Sequence, residues 1–173
     1  MRRLAIYDLD DTLLCGDSEF HWAKFTVSKG FIEEEVYLKK IKGFEIDYRS
    51  GNLNFDEYCT FLLHPLIGMD IDDLDELVLE FIESHKEKLI DPMTFDLLQR
   101  HKDDFRLVAS GSLDFIVKGF SNYFEMDAYL GSSYEIVDKK ITGKLVKAAF
   151  AQGKLEKVRA VSYTHLRAHE TRT

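Results

Sequence analysis

Cysteine is scarce in this sequence, and long apolar runs are absent from it. Its 173 residues include only two cysteines, Cys15 and Cys59. Their spacing fits no metal-binding or redox motif, so we expect reduced thiols rather than a disulfide framework. No apolar stretch approaches the roughly 18 residues that a membrane-spanning helix needs. Met1-Arg2-Arg3 leads straight into a predicted strand, without the hydrophobic region of a signal peptide. These absences predict a cytoplasmic protein that does not enter membranes.

Net positive charge is also lacking. The 31 acidic residues outnumber the 23 lysines and arginines, and the formal net charge is -8. This balance argues against nucleic acids and anionic membranes as partners. The 45% of hydrophobic and 13% of aromatic residues predict a folded globule rather than a disordered chain. A chain of this length can form one compact core, with room for a small inserted subdomain.

The short apolar run at 4–7 predicts a strand of a parallel α/β sheet, covered on both faces. The next strand is predicted at 105–109. Residues 17–100, between these strands, have helical periodicity and contain no convincing strand. The second strand is expected to end in Ser110-Gly111-Ser112. Further elements are then predicted in this order: a helix around 115–120, a short strand at 128–130, a hairpin of 134–137 with 141–145 through 138–140, and a helix over 152–161.

Acidic side chains are crowded where the first strand ends. Asp8-Leu9-Asp10-Asp11-Thr12 follows the apolar run directly. Neighbouring carboxylates repel one another, and a hard divalent cation with oxygen ligands, such as Mg²⁺, removes that cost. An acidic surface turn or helix cap is the simpler alternative. It does not explain why the acids adjoin a buried strand, at the edge where open α/β sheets hold their sites.

The apolar strand followed by Asp-x-Asp-x-Thr resembles motif I of phosphatases of the haloacid dehalogenase superfamily. The resemblance implies that Asp8 is the nucleophile that accepts the phosphoryl group as an aspartyl phosphate. It implies that Asp10 is the general acid for the leaving oxygen and then the base that activates water. Asp8 and the backbone carbonyl of Asp10 would bind Mg²⁺, and Thr12 is assigned to substrate binding.

Two later segments resemble further motifs of this superfamily. Leu107-Val108-Ala109-Ser110 is similar to motif II, which implies that Ser110 binds the phosphoryl oxygens, with the Gly111 N–H as a further donor at a helix start. Ser112 either assists in this or caps the following helix. The segment around Gly153-Lys154 is similar to motif III, whose lysine neutralises the nucleophile and phosphate. Lys154 is the preferred candidate, and Lys157 remains an alternative.

The helical insertion between motifs I and II resembles the cap of subclass IB, the phosphoserine-phosphatase-like group. The resemblance therefore implies a Rossmann-like parallel sheet core of residues 1–15 and 101–161, with an inserted all-helical cap of residues 16–100. The sheet core is expected to be incomplete at its C-terminal end.

The sequence departs from the phosphoserine phosphatases at two positions. They carry a glutamate nine residues after the nucleophile, where this chain has Asp17, and a cap arginine where this chain has Leu62. An apolar side chain cannot hold a substrate carboxylate, which argues against phosphoserine. Asp17 is retained as a candidate substrate contact from the cap side, with His21, Phe55 and Tyr58 as weaker candidates.

Motif IV, an acidic pair that completes the metal site in this superfamily, has no match after Lys154. We therefore expect the native chain to continue past residue 161, and the chain as written to bind Mg²⁺ weakly and turn over slowly. Residues 162–173 are expected to be non-native. His165 and His169 within them are spaced as helical metal ligands but lack a third ligand.

The sequence thus predicts a Mg²⁺-dependent phosphomonoesterase that acts on a small phosphorylated metabolite. An inactive fragment or pseudoenzyme of the same fold, and a phosphotransferase, remain open alternatives. A receiver-type phosphoacceptor also combines Asp, Ser or Thr, and Lys on a parallel sheet, but it has no long helical insertion and no second acid–base aspartate in this register.

Overall fold

The computed structural model describes residues 3–149 and Val158. Helices surround a four-stranded sheet, so the predicted α/β fold is confirmed. The elements in chain order are β1 (Leu4–Tyr7), α1 (Ser18–Ser28), α2 (Glu34–Ser50), α3 (Phe55–Leu63), a 3₁₀ turn (His64–Leu66), α4 (Ile71–Leu89), α5 (Pro92–Gln99), β2 (Phe105–Leu113), α6 (Asp114–Tyr123), β3 (Ala128–Val137) and β4 (Lys140–Lys147). Apart from Val158, the predicted helix over 152–161 lies outside the described residues, as do both motif III lysines and the tail.

The sheet has the order β1-β2-β3-β4. β1 pairs in parallel with β2, and β2 in parallel with β3, whereas β3 and β4 are antiparallel. β2 is covered on both faces, as a strand in the middle of a parallel sheet should be. β1 is less covered than predicted, since Ile6 is 46% exposed. The reason is that β1 lies at the edge of the sheet as far as the chain is described.

Residues 17–100, all of which the structure describes, form five α-helices and no strand. Side-chain oxygens accept backbone N–H groups at the starts of four of them: Asp17 for α1, Asn54 for α3, Asp70 for α4 and Asp91 for α5. Such caps satisfy N–H groups that have no partner within the helix. None of the described helices is long and apolar enough to cross a membrane.

The C-terminal strands differ from the prediction. The short strand at 128–130 and the strand at 134–137 form one continuous strand, β3, which pairs first with β2 and then with β4. The turn of the hairpin is shorter than predicted. It consists of Asp138 and Lys139, both at positive φ (50° and 64°), because two-residue hairpin turns of this kind need left-handed backbone at both positions. Lys140 already belongs to β4 and pairs with Val137.

The helical segment and the sheet share one hydrophobic core. Trp22 of α1 is fully buried, with its ring 5.3 Å from that of Phe81 in α4 and 5.1 Å from that of Phe115 in α6. The hairpin is also joined to the helical segment, because Gly68 N–H donates to the Ile141 carbonyl at 2.8 Å. The cap boundaries at residues 16 and 100 stay a prediction.

Two helix-interior glycines give opposite predictions for stability. A Cβ at Gly119 in α6 would contact Val78 Cγ1 and lie 3.0 Å from Ile82 Cδ1, both in α4, whereas a Cβ at Gly43 in α2 would meet nothing within 4 Å. We expect Gly119→Ala to lower the free energy of unfolding by about 1–3 kcal/mol through overpacking. The matched control Gly43→Ala should raise it by up to about 1 kcal/mol, because alanine favours the helix. Urea unfolding measures both, and equal shifts would contradict the packing described here.

The environment of His21, on α1 near α4, predicts that the stability of the protein depends on pH. Burial lowers the pKa of His21 from 6.5 to about 4, with help from the charges of Lys88, His85 and Lys24. Between these pH values the unfolded chain binds more protons at this site than the folded protein, so stability rises with pH. We expect the free energy of unfolding of the wild type, minus that of His21→Gln, to increase as pH rises from about 4 to 6.5. Urea titrations across this range test it, and parallel profiles would contradict it.

Candidate active site

The chain turns sharply after β1. The N–H groups of Leu13 and Leu14 both donate to the Leu9 carbonyl, at 2.9 and 3.0 Å, and Asp11 has a positive φ of 54°. The Asp8 side chain accepts the Leu9 N–H at 3.0 Å. Because the backbone is turning rather than extended, Asp8 and Asp10 both contribute to the wall of one cavity.

The Asp10 carboxylate connects three segments. Its Oδ1 accepts the backbone N–H of Ser18, at the start of α1, at 2.7 Å. Its Oδ2 accepts the hydroxyl of Ser112 at 2.6 Å and that of Ser110 at 3.3 Å, both from the end of β2. Ser110 Oγ in turn accepts the Ser112 N–H at 3.1 Å. Motif I and the serines of the predicted motif II therefore meet directly.

A break in the regular pairing of β2 with β3 sets the direction of the Ser110 and Ser112 side chains. Ala109 pairs with Leu130 and Leu113 with Ser132, so three residues of β2 oppose the single residue Gly131 of β3. A β-bulge of this kind re-aims side chains at the end of a strand. A Cβ at Gly131 would lie 2.5 Å from the Asp114 Cα, so the close approach of β3 to the start of α6 requires glycine here.

The structure decides between the two alternatives for Ser112 and corrects the expected position of Gly111. Ser112 does not cap α6, because the capping position is Leu113, which makes no side-chain capping bond, and the Ser112 hydroxyl bonds to Asp10 instead. Gly111 is not at a helix start, since it lies within β2 and α6 begins at Asp114. The Gly111 carbonyl accepts the Ser132 hydroxyl at 2.5 Å.

The site opens into a cavity of about 710 Å³. Its sheet side includes Asp8, Asp10, Ser110, Gly111 and Ser112, and Asp17 adjoins them from the start of α1. The helical side is formed by α2, α3 and the segment between them, through Ile41, Phe44, Glu45, Tyr48, Arg49, Leu53, Phe55 and Tyr58. His21 also lines the cavity, so all the weaker cap-side candidates belong to its wall. Thr12 does not line it and is exposed to solvent.

Glu19 is a cavity residue that the sequence analysis missed. It is 4% exposed, and its Oε1 accepts the Leu113 N–H at 2.9 Å. Burial raises the pKa of Glu19 well above its ordinary value, and the nearby Asp17 carboxylate adds to this. In the sequence, Glu19 is indistinguishable from the acidic residues that commonly occupy a first helical turn, so no local signal marked it.

Asp17 caps α1 and also lines the cavity. Its Oδ1 accepts the Phe20 N–H at 2.9 Å and so caps α1. Burial raises the pKa of Asp17 to about 6, and the charges of Asp10 and Asp11 act in the same direction. The side chain nevertheless keeps contact with solvent, which is consistent with a group that faces an open cavity.

The helical side of the cavity contains an arginine, but not at position 62, where the phosphoserine phosphatases carry theirs. Leu62 is fully buried in α3 and does not line the cavity. Arg49 of α2 lines it instead, paired with Glu45 at 2.5 Å. Helical periodicity predicts helices in residues 17–100 but does not tell which face of α2 points at the sheet.

Within residues 3–149, no group of three or more His, Cys, Asp or Glu side chains is arranged to hold a metal ion. The oxygen donors present at the end of β1, the carboxylates of Asp8 and Asp10, are of the type that Mg²⁺ prefers.

Comparisons with known proteins agree with this architecture. Residues 5–172 match the family described as haloacid dehalogenase-like hydrolase. A histidinol-phosphatase of Neisseria meningitidis serogroup C is 30% identical over 162 residues, which are 91% of this chain and 73% of that protein. A probable phosphatase of Mycobacterium tuberculosis is 24% identical over 165 residues, which are 93% of this chain and 58% of that protein.

Solved structures share the fold at lower sequence identity. A Bordetella pertussis protein of unknown function has a TM-score of 0.83 and 22% identity, over 95% of this chain and 76% of that one. A phosphoserine phosphatase, solved as a phospho-aspartyl intermediate analogue, has a TM-score of 0.61 and 16% identity, over 95% of this chain and 72% of that one. Since the family match spans almost the whole sequence, the chain belongs to the haloacid dehalogenase-like hydrolases, and the predictions of this family and of a hydrolytic enzyme are confirmed.

Proposed function

We propose that the protein hydrolyses the phosphate monoester of a small metabolite through an aspartyl phosphate on Asp8, with Mg²⁺ as cofactor. The observation that carries this proposal is the convergence of Asp8, Asp10 and Ser110, from the ends of two parallel strands, in the wall of one cavity. Its relatives in Neisseria and Mycobacterium are phosphatases by name. Membership of subclass IB is part of the proposal and is supported by the helices between β1 and β2.

The reaction has two displacements. A carboxylate oxygen of Asp8 attacks phosphorus, and the bond from phosphorus to the leaving oxygen breaks while Asp10 donates a proton to that oxygen. Asp10 then takes a proton from water, and the resulting hydroxide attacks the aspartyl phosphate. The bond between phosphorus and Asp8 breaks, inorganic phosphate leaves, and Asp8 is restored as a carboxylate.

The serines of the bulge are suited to hold the phosphoryl group. Ser110 and Ser112 have hydroxyls within hydrogen-bonding distance of Asp10, so a phosphoryl group between Asp8 and Asp10 would lie within their reach. The Gly111 N–H is proposed as a further donor. Lys154, with Lys157 as the alternative, is proposed to neutralise charge on the nucleophile and the phosphate.

Mg²⁺ fits the donors at the end of β1. Phosphatases of this superfamily generally depend on Mg²⁺, and the Asp8 carboxylate with the Asp10 carbonyl would offer it hard oxygen ligands. When bound, the ion would shield the approach of one anion to another. With only these two protein ligands among the described residues, weak binding by the chain as written stays the expectation.

The cavity supports a substrate other than phosphoserine. Leu62 is buried away from the cavity, and Asp17 replaces the expected glutamate. The helical wall carries aromatic rings, such as Tyr48 and Phe55, and the ion pair of Glu45 with Arg49. These groups suit an organic moiety with an aromatic or cationic part, and histidinol phosphate is therefore the first substrate to test.

The nucleophile assignment predicts the effect of Asp8→Asn. An amide cannot form the aspartyl phosphate, so kcat should fall by at least about 1000-fold. Phosphate release from a panel of monoesters that includes histidinol phosphate and phosphoserine is measured with Mg²⁺ and with a chelator. Asp96→Asn, a substitution of an exposed aspartate on α5, is the matched control and should retain activity. Wild-type release that survives Asp8→Asn, or that a chelator does not lower, would contradict the proposal.

The acid–base assignment predicts a different effect for Asp10→Asn. General acid–base catalysis contributes about 100- to 10,000-fold, and turnover should fall by that order. An activated aryl phosphate needs little help in leaving, so it should still phosphorylate Asp8, and the phosphoenzyme should accumulate because water is no longer activated. Intact-protein mass spectrometry after acid quenching measures this. A variant that turns over without trapped phosphoenzyme would refute the role of Asp10 as the base.

A further inference from the structure

Glu19 is a buried acidic residue that the proposed mechanism does not use. It lies in the first turn of α1, is 4% exposed, and belongs to the wall of the cavity. Burying a carboxyl group is unfavourable unless its oxygens find partners. One partner is the backbone N–H of Leu113, 2.9 Å from Glu19 Oε1 and 94 residues away in sequence.

Leu113 is the residue at which the bulge ends. It resumes the pairing of β2 with β3, opposite Ser132, immediately after the three unpaired positions. Ser112 precedes it, and Leu113 also forms the capping position of α6. A bond to its N–H therefore fixes the C-terminal end of the segment that carries both serine hydroxyls.

Ser18, next to Glu19, forms a second link of the same kind. Its N–H holds Asp10 Oδ1 at 2.7 Å, while the serines hold Asp10 Oδ2. The start of α1 thus holds Asp10 through one residue and the end of β2 through the next. The Tyr58 hydroxyl of α3 also interacts with the Glu19 carboxyl, which connects the helical wall to the same point.

We propose that Glu19 is a positioning residue, whose carboxyl oxygen accepts the Leu113 N–H and so holds the β2 bulge in the shape that presents Ser110 and Ser112 to Asp10. Its kinetic consequence rests on the proposed phosphatase function, whereas its structural consequence does not. The acceptor is what matters in this role rather than a negative charge. The raised pKa of Glu19 agrees with this, because a neutral carboxylic acid keeps a carbonyl oxygen that accepts a hydrogen bond.

Two variants with side chains of similar size test whether position 19 needs a hydrogen-bond acceptor or a negative charge. Glu19→Gln keeps a carbonyl oxygen at the same distance along the side chain, whereas Glu19→Met fills the space with only a weak acceptor. We expect kcat of Glu19→Met to fall by about ten- to a hundred-fold, as for a displacement of catalytic groups by about 1 Å. KM should change less than kcat, and Glu19→Gln should stay within about three-fold of the wild type in both.

The exchange rate of the Leu113 amide hydrogen measures whether the bulge keeps its shape, and this measurement needs no substrate. The Leu113 amide should exchange faster in Glu19→Met than in the wild type, and at the wild-type rate in Glu19→Gln. If Glu19→Met does not fold, Glu19→Ala takes its place, since a smaller side chain avoids any clash. Wild-type kcat and Leu113 protection in the variant without an acceptor would overturn the proposal. Equal losses in Glu19→Gln and Glu19→Met would also overturn it.

The two proposals fail in distinguishable ways. A wild type that releases no phosphate from any ester contradicts the phosphatase function, and the exchange rates then decide the role of Glu19 alone. An active wild type whose kcat and exchange do not respond to Glu19→Met contradicts only the positioning role.

Discussion

The hydrogen bonds to the Asp10 carboxylate are the interaction on which the arrangement of the site depends. They join the loop after β1 to the start of α1 and to serines about one hundred positions later in the sequence. Hydrogen bonds to charged groups contribute about 1.5–3 kcal/mol each, so the three together stabilise the half-buried Asp10 carboxylate in this position. The same bonds fix the orientation of Asp10. A side chain proposed to give and take protons in turn needs such a fixed geometry toward both the leaving oxygen and the attacking water.

The shape of β2 explains how a strand can supply two side chains to one carboxylate. In a regular strand, residues i and i+2 point to the same face but lie nearly 7 Å apart, whereas the hydroxyls of Ser110 and Ser112 are 3.2 Å apart. The bulge provides this convergence, and it is held by side chains that come from other elements. Ser132 of β3 bonds to the Gly111 carbonyl, and Glu19 of α1 bonds to the Leu113 amide. The precision of the site therefore comes from distant residues rather than from the motif itself.

Because the geometry of the site depends on residues distant in sequence, only part of it could be predicted from the sequence. The apolar run at 4–7 predicted β1, and helical periodicity predicted the helices of residues 17–100. The meeting of Asp10 with Ser110 was implied by the resemblance of their segments to motifs I and II. The continuity of β3 did not follow, because residues 131–133 gain their strand conformation from pairing with β2 and β4, which local periodicity does not encode. Glu19 and Arg49 were missed for a related reason. Each is an ordinary helical charged residue in sequence, and only the packing of α1 and α2 turns it toward the cavity.

The charges around the cavity constrain what can enter it. Among the described residues that line it, the acidic ones are Asp8, Asp10, Asp11, Asp17, Glu19 and Glu45, whereas the one arginine, Arg49, is already paired with Glu45. Burial raises the pKa values of Asp17 and Glu19, and the neighbouring carboxylates act in the same direction. A phosphate monoester brings further negative charge, and Coulomb repulsion over a few ångströms in a partly buried site amounts to several kcal/mol.

Substrate binding therefore requires positive charge that the described walls do not supply. The proposed Mg²⁺ and Lys154 would provide it next to the phosphate. An organic moiety with net negative charge would increase the repulsion, so the electrostatics of the cavity favour a proposed substrate whose organic part is neutral or cationic.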